Sequence, residues 1–160
     1  MIGGCAAVAF SIFVGRFRDG PSESGILMNI YLIGYRCTGK TTVGQWLADR
    51  LGWKFVDSDK EIVNTHGMTI QHIVAAQGWQ GFRDKEKRVV ARICRQDRQV
   101  VATGGGVAVD GDNVCRMRES GFVCWLKAVP ETIRQRMNND ADSGPLRPSL
   151  TSTAADAEVK

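Results

Sequence analysis

From residue 28 onward, short apolar runs alternate with longer amphipathic stretches. The runs at 30–33, 54–56, 99–102 and 122–126 read as strands, and their near-continuous apolar character fits strands covered on both faces. Helical spacing fills the intervals. Residues 42–51 carry Val43, Leu47 and Leu51 four apart on an expected inward face. Residues 69–77 carry Ile70, Ile73 and Val74, and residues 84–95 are charged outside with Val89, Val90 and Ile93 inward. A further helix opens at Pro130, followed by Glu131, both suited to a first turn, and runs to about Met137. The polar segment 138–152 shows no clear period. Strands alternating with helices predict an α/β fold with a parallel sheet flanked by helices.

The first 27 residues stand apart. Residues 2–15 are apolar but shorter than the roughly 20 residues of a membrane-crossing helix. No Lys or Arg precedes them, and Arg16 and Arg18 lie on the far side, the wrong order for a signal peptide. The stretch DGPSESG at 19–25 breaks regular structure, and Met28 directly precedes the first strand run. Translation is expected to begin at Met28, with residues 1–27 upstream sequence or a disordered appendage and residues 28–160 one domain. A chain of 160 residues suits a single core.

Composition narrows the function. Hydrophobic residues make up 43% and charged residues 24%, as in a folded, soluble domain. The balance of 21 Lys+Arg against 17 Asp+Glu is +4, too small to argue for nucleic acid and compatible with a small anionic ligand. Cys5, Cys37, Cys94, Cys115 and Cys124 form no CxxC pair, so neither a disulfide framework nor a zinc site is indicated, and reduced thiols suit a cytoplasmic protein. His66 and His72 are six apart and do not share a helix face as a metal pair would.

The strongest chemical signal is Gly34-Tyr35-Arg36-Cys37-Thr38-Gly39-Lys40-Thr41, which matches GxxxxGK[ST] between a strand and a helix. Such a loop converges backbone N–H groups on phosphate oxygens at the positive end of a helix. Lys40 is expected on the β- and γ-phosphates and the Thr41 hydroxyl on Mg²⁺. Seventeen residues beyond Lys40, the run Phe55-Val56-Asp57-Ser58-Asp59 ends a strand where open α/β sheets place ligands. Asp57 and Asp59 suggest a division of labour, one ordering water around Mg²⁺ and the other orienting or deprotonating an attacking hydroxyl. The plainer alternative is that Ser58 or Asp59 caps a helix starting near Lys60.

Gly104, Gly105 and Gly106 follow the third strand, where backbone can approach a ligand closely, unless they form a plain flexible loop. Arg83, opening a charged helix with Phe82 and Glu86, is either a bidentate clamp for a carboxylate or a solvated surface residue. Arg134, Arg136 and Arg147 gather positive charge where a lid closes over phosphates, or else favour a helix C-terminus.

In this order, GYRCTGKTT at 34–42, FVDSD at 55–59, GWQGFRDKE at 78–86, ATGGG at 102–106, WLKAVPETIRQR at 125–136 and RPSL at 147–150 resemble shikimate kinase over residues 29–160. No single stretch identifies the family; the ordered set does. The resemblance implies a three-layer P-loop fold of the nucleoside-monophosphate-kinase type with a lid segment, acting as a monomer on small molecules, without nucleic-acid or membrane partners. The implied reaction is ATP-dependent phosphorylation of the 3-hydroxyl of shikimate, with Mg²⁺. Lys40, Asp59 and Arg147 are the implied catalytic residues. Gly34, Cys37, Thr38, Gly39, Lys40, Thr41, Thr42, Arg136 and Arg147 are expected around the nucleotide, with Arg136 by the adenine. Asp59, Arg83, Gly104, Gly105 and Gly106 are expected around shikimate, and Thr41 and Asp57 at the metal.

Trp79 stands where many members carry Glu, as in a second variety of the family. Members also continue past the lid with another substrate-binding arginine, a strand and a helix, so the sequence ending at Lys160 is expected to represent an incomplete domain. Two alternatives follow: a related P-loop kinase such as gluconate kinase, or a remnant that binds nucleotide without turnover.

Overall fold

The computed structural model describes residues 10–11 and 28–141. It contains β1 (Phe10–Ser11), β2 (Asn29–Ile33), α1 (Lys40–Leu51), β3 (Lys54–Asp57), α2 (Ser58–His66), α3 (Ile70–Ile93), β4 (Gln99–Ala102), a 3-10 turn at Val107–Val109, α4 (Gly111–Ser120), β5 (Gly121–Leu126) and α5 (Pro130–Ala141). The sheet order is β1-β5-β2-β4-β3, with β5, β2, β4 and β3 parallel and β1 antiparallel on the β5 edge. The alternation of strand and helix along the chain thus becomes the expected parallel sheet. Phe10–Ser11 is a strand within the segment expected to be an appendage; the rest of residues 1–27 lies outside the described residues.

The uniform apolar character of the strands has a direct cause. Leu32, Val100 and Leu126 point to one face, where they pack with Ala48 of α1. Tyr31, Val56 and Val101 point to the other, against Ile62 of α2, Ile73, Phe82, Val89, Val90 and Ile93 of α3, and Met117 of α4. Both faces are dry, so alternation disappears from the sequence.

Several elements differ from what the sequence pattern predicts. Leu51 is exposed, not inward: α1 meets the sheet through Gly44 and Ala48, because the small Gly44 lets the helix backbone close onto Phe55 and Leu32. Val43 and Leu47 flank that contact, half-buried. The two helices expected at 69–77 and 84–95 run together as α3, broken only at Gly78 (φ 68°, ψ 179°). The helix α2 starts at Ser58, not near Lys60, and its cap is Asp57, not Ser58 or Asp59: Asp57 Oδ1 accepts the N–H groups of Asp59 and Lys60 at 3.0 and 3.2 Å. The helix α4 was not legible as a period, since it turns few apolar residues inward; Asp110 caps it by accepting from Asp112 N and Asn113 N. Finally, α5 continues to Ala141, and residues 142–152 of the polar segment lie outside the described residues.

Register decides where function sits. Leu32 of β2 pairs with Ala102 of β4, which pairs with Asp57 of β3. The three strands therefore end at one level, and their following loops emerge side by side. At the opposite end a buried polar network ties the strands together. The Asn29 amide donates to Tyr31 Oη (3.1 Å) and Gln96 O (2.7 Å), its Oδ1 accepts Gln99 N (3.0 Å), and Tyr31 Oη meets Ser120 Oγ at 2.7 Å. Burial, first among the causes, pushes the Tyr31 phenol above its ordinary pKa, so it remains a neutral partner. Among the described residues, no helix is long and apolar enough to cross a membrane.

Asn29→Ala strands the Gln99 N–H and removes a donor from Tyr31, and should destabilise the fold by about 2–4 kcal/mol. Urea denaturation measures it; a loss below about 0.5 kcal/mol would contradict the network's role.

Candidate active site

Three loops meet at the C-terminal edge of the sheet. The first leads from β2 into α1. Gly34 has φ 141°, and a Cβ there would run into the carbonyl oxygen of Leu126, so only glycine fits. Gly39 precedes α1 at φ 95° with no side-chain cap, leaving the first N–H groups of the helix facing outward. Thr38 is buried and donates its hydroxyl to Tyr35 O at 2.8 Å. The buried Lys40 turns back over the loop and donates Nζ to Gly34 O (2.8 Å) and Tyr35 O (2.7 Å). Thr41 and Thr42 are exposed on the first turn. Arg136 reaches across from α5 and donates Nη1 to Cys37 O at 3.0 Å, which joins that helix to the loop. The geometry is an anion seat: amides at a helix N-terminus with an ammonium group beside them.

The second loop is the β3–α2 junction. Asp57 spends Oδ1 on the cap described above, whereas Asp59, in the first turn of α2, is buried and faces a hollow. The third follows β4. Thr103 fastens it to β2, donating both N and Oγ1 to Leu32 O at 3.1 Å. Gly104 then passes so close to Asp59 that a Cβ would stand 2.6 Å from Oδ1.

The hollow between these loops and α3 is lined by the polar groups of Arg36, Asp59, Arg83 and Glu86, by the backbone of Gly104, Gly105 and Gly106, and by Tyr35, Ile70, Trp79 and Phe82. Arg83 donates Nη1 to Glu86 Oε2 at 2.6 Å, and its guanidinium lies 5.3 Å from the Phe82 ring centroid and 5.9 Å from that of Trp79. These contacts hold the planar group in one orientation. Burial raises the Glu86 pKa; the Arg83 hydrogen bond and charge oppose that shift, and the charges of Asp59 and Asp110 add to it.

Asp59, Arg83 and the three glycines thus share one cavity, bordered by the phosphate loop at Tyr35 and Arg36. Asp57 is not among its lining residues, and Arg147 lies outside the described residues. Sequence reading missed Arg36 and Tyr35, hidden as the variable positions of the GxxxxGK[ST] pattern, and Glu86, which it took only for helix charge. The spacing of Arg83 and Glu86 by three was the available signal, since it puts both on one helix face.

A family model described as shikimate kinase matches residues 36–160. The chain belongs to the shikimate kinase family. The shikimate kinase of Symbiobacterium thermophilum is 49% identical over 109 residues, 68% of this chain and 63% of that protein. That of Persephonella marina is 43% identical over 75% of this chain and 73% of that protein. Among solved structures, the shikimate kinase from Acinetobacter baumannii in complex with shikimate superposes with a TM-score of 0.69 at 39% identity, covering 73% of this chain and 65% of that one. Bacteroides thetaiotaomicron shikimate kinase gives 0.73 at 28%, covering 82% and 73%. The chain thus has the P-loop kinase fold of the family and spans somewhat under two thirds of the first of these relatives.

Two outcomes follow from the site's geometry. Cys37 holds φ 60°, a left-handed conformation costly for any residue with a Cβ. Cys37→Gly should stabilise the protein by about 0.5–1 kcal/mol after the added freedom of the unfolded chain is counted; a urea midpoint that falls would contradict it. Glu86 is raised above its usual 4.5. Between that value and the raised one the native state binds more protons than the unfolded chain, so rising pH lowers stability through this window. Glu86→Gln should remove that fall, and stability curves from pH 4 to 8 that run parallel for both proteins would contradict it.

Proposed function

We propose that residues 28–160 form a kinase domain that transfers the γ-phosphoryl of ATP to the 3-hydroxyl of shikimate. The observation that carries this reading is the adjacency of two differently built seats. One is a phosphate loop around the buried Lys40; the other is a hollow lined by both the buried carboxylate Asp59 and the oriented guanidinium Arg83. A small acid bearing hydroxyls satisfies both groups, its carboxylate toward Arg83 and a hydroxyl on Asp59. The complex of the Acinetobacter baumannii relative with shikimate supports that choice of acceptor.

In this reading the loop amides and Lys40 hold the β- and γ-phosphates, and Lys40 exchanges its loop carbonyls for phosphate oxygens. Asp59 accepts the hydrogen bond of the 3-hydroxyl and takes its proton as the new O–P bond forms and the bond to the β-phosphate oxygen breaks, leaving ADP. Arg136, already bonded to the loop, lies by the adenine, and Arg147 closes over the phosphates. The donor set also fits Mg²⁺. The exposed Thr41 hydroxyl and the Asp57 carboxylate, with only Oδ1 spent on its cap, suit an ion that takes most of its ligands from phosphates and water. Bound there, Mg²⁺ neutralises phosphate charge. Asp57, Thr41 and Lys40 each hold their own ligand atoms in place. All these groups come from one chain, which suits a monomer; the free thiols Cys37, Cys94, Cys115 and Cys124 suit the cytoplasm.

Coupled measurement of ADP release tests the reading: saturable release with shikimate, and none with gluconate, is expected. Lys40→Ala and Asp59→Asn should each lower kcat at least about 100-fold with an unchanged circular dichroism spectrum. Release indifferent to shikimate, or full turnover in either variant, would overturn it.

A further inference from the structure

Ser58 stands between the two aspartates of the β3–α2 junction, and neither the motif nor the mechanism uses it. It is fully buried. The parallel ladder between β3 and β4 ends at the pair Asp57–Ala102, after which one strand enters a helix and the other the glycine loop. The next link between them is made by a side chain: Ser58 Oγ accepts the N–H of Gly104 at 2.8 Å. Thr103 anchors the same loop on its other side, to Leu32 O. Gly104 is therefore pinned from both neighbouring strands at the point where it touches Asp59, with a built Cβ 2.6 Å from Asp59 Oδ1 and 3.3 Å from Glu86 Oε1.

We propose that Ser58 is a positioning residue of the acceptor site, fixing through the Gly104 amide the distance between the glycine loop and the Asp59 carboxylate. Three consequences make it more than a structural bond. The hydroxyl consumes the Gly104 N–H, so that amide is not a ligand donor, and acceptor contacts fall to Gly105 and Gly106. The link lies on the hollow's side of the sheet, remote from the β1 edge. Its loss leaves a buried N–H without an acceptor, which the loop relieves by moving toward the cavity, since Asp59 and Glu86 are the polar groups beside it. The phosphate loop has ties of its own, the Lys40 bonds to Gly34 O and Tyr35 O, and borders the glycine loop at Gly105, beside Arg36 N.

The inference rests on the proposed acceptor, and the experiment separates the two. Shikimate and a fluorescent ADP analogue are titrated into the full chain as wild type, Ser58→Ala and Ser58→Thr, with thermal unfolding of each. Ser58→Ala should weaken shikimate at least about tenfold while the nucleotide constant stays within about twofold. Ser58→Thr, which keeps the oxygen, should return shikimate to within about threefold of wild type. If the threonine methyl prevents folding, Ser58→Cys, with a poorer acceptor, should fall between alanine and serine. Unchanged shikimate binding in a folded Ser58→Ala, or equal loss of both ligands, overturns the assignment alone. A wild-type chain that binds the nucleotide but no shikimate overturns the acceptor reading and this assignment with it.

Discussion

The structure depends on three parallel strands ending at one level. Because Leu32, Ala102 and Asp57 are in register, the phosphate loop, the aspartate pair and the glycine triplet leave the sheet as neighbours although they are separated by tens of residues in the chain. A slip of one residue in any of these pairings would turn that strand's side chains to the opposite face and carry its loop away from the other two. Dry packing on both faces resists such a slip: Tyr31 and Val101 belong to one apolar cluster, Leu32 and Val100 to the other. The polar network of Asn29, Tyr31, Gln99 and Ser120 locks the opposite ends of β2 and β4 to the residue that precedes β5.

Charge is distributed unevenly as a result. Lys40, Asp59 and Glu86 are all buried, and all belong to the phosphate loop or the hollow beside it. Removing three charges from water costs stability that pairing recovers only in part, as the raised Glu86 shows despite its bond to Arg83. The left-handed Cys37 adds backbone strain at the same end. The foot of the sheet carries the neutral network, and beside it the exposed Asp97 carboxylate accepts Met28 N and Arg98 holds a left-handed φ of 53°. The groups of the candidate site are thus held at one end while the neutral network and the apolar clusters secure the rest.

Much of this was legible in the sequence because it rests on local pattern. Runs buried on both faces are apolar throughout, so Gln99–Ala102 was read with its observed bounds, and the phosphate loop is contiguous. What escaped depended on partners remote in sequence. Leu51 looked inward by its spacing from Leu47, but the helix is rotated onto Gly44 by the Phe55 ring. The cap at Asp57 rather than Asp59 follows from the helix starting one residue after the strand, which no periodicity reveals. The helix Gly111–Ser120 turns too few apolar residues inward to make a stripe. Arg36 and Glu86 meet only because the fold brings the phosphate loop and α3 to the same hollow.

A crystal structure with ADP, Mg²⁺ and shikimate tests the central claim most directly. The account predicts the diphosphate on the amides between Gly34 and Thr41, within reach of Lys40 Nζ, and shikimate between Asp59 and Arg83 with a hydroxyl facing the nucleotide. A diphosphate bound elsewhere, or shikimate outside the Asp59–Arg83 hollow while both ligands are in place, would contradict it.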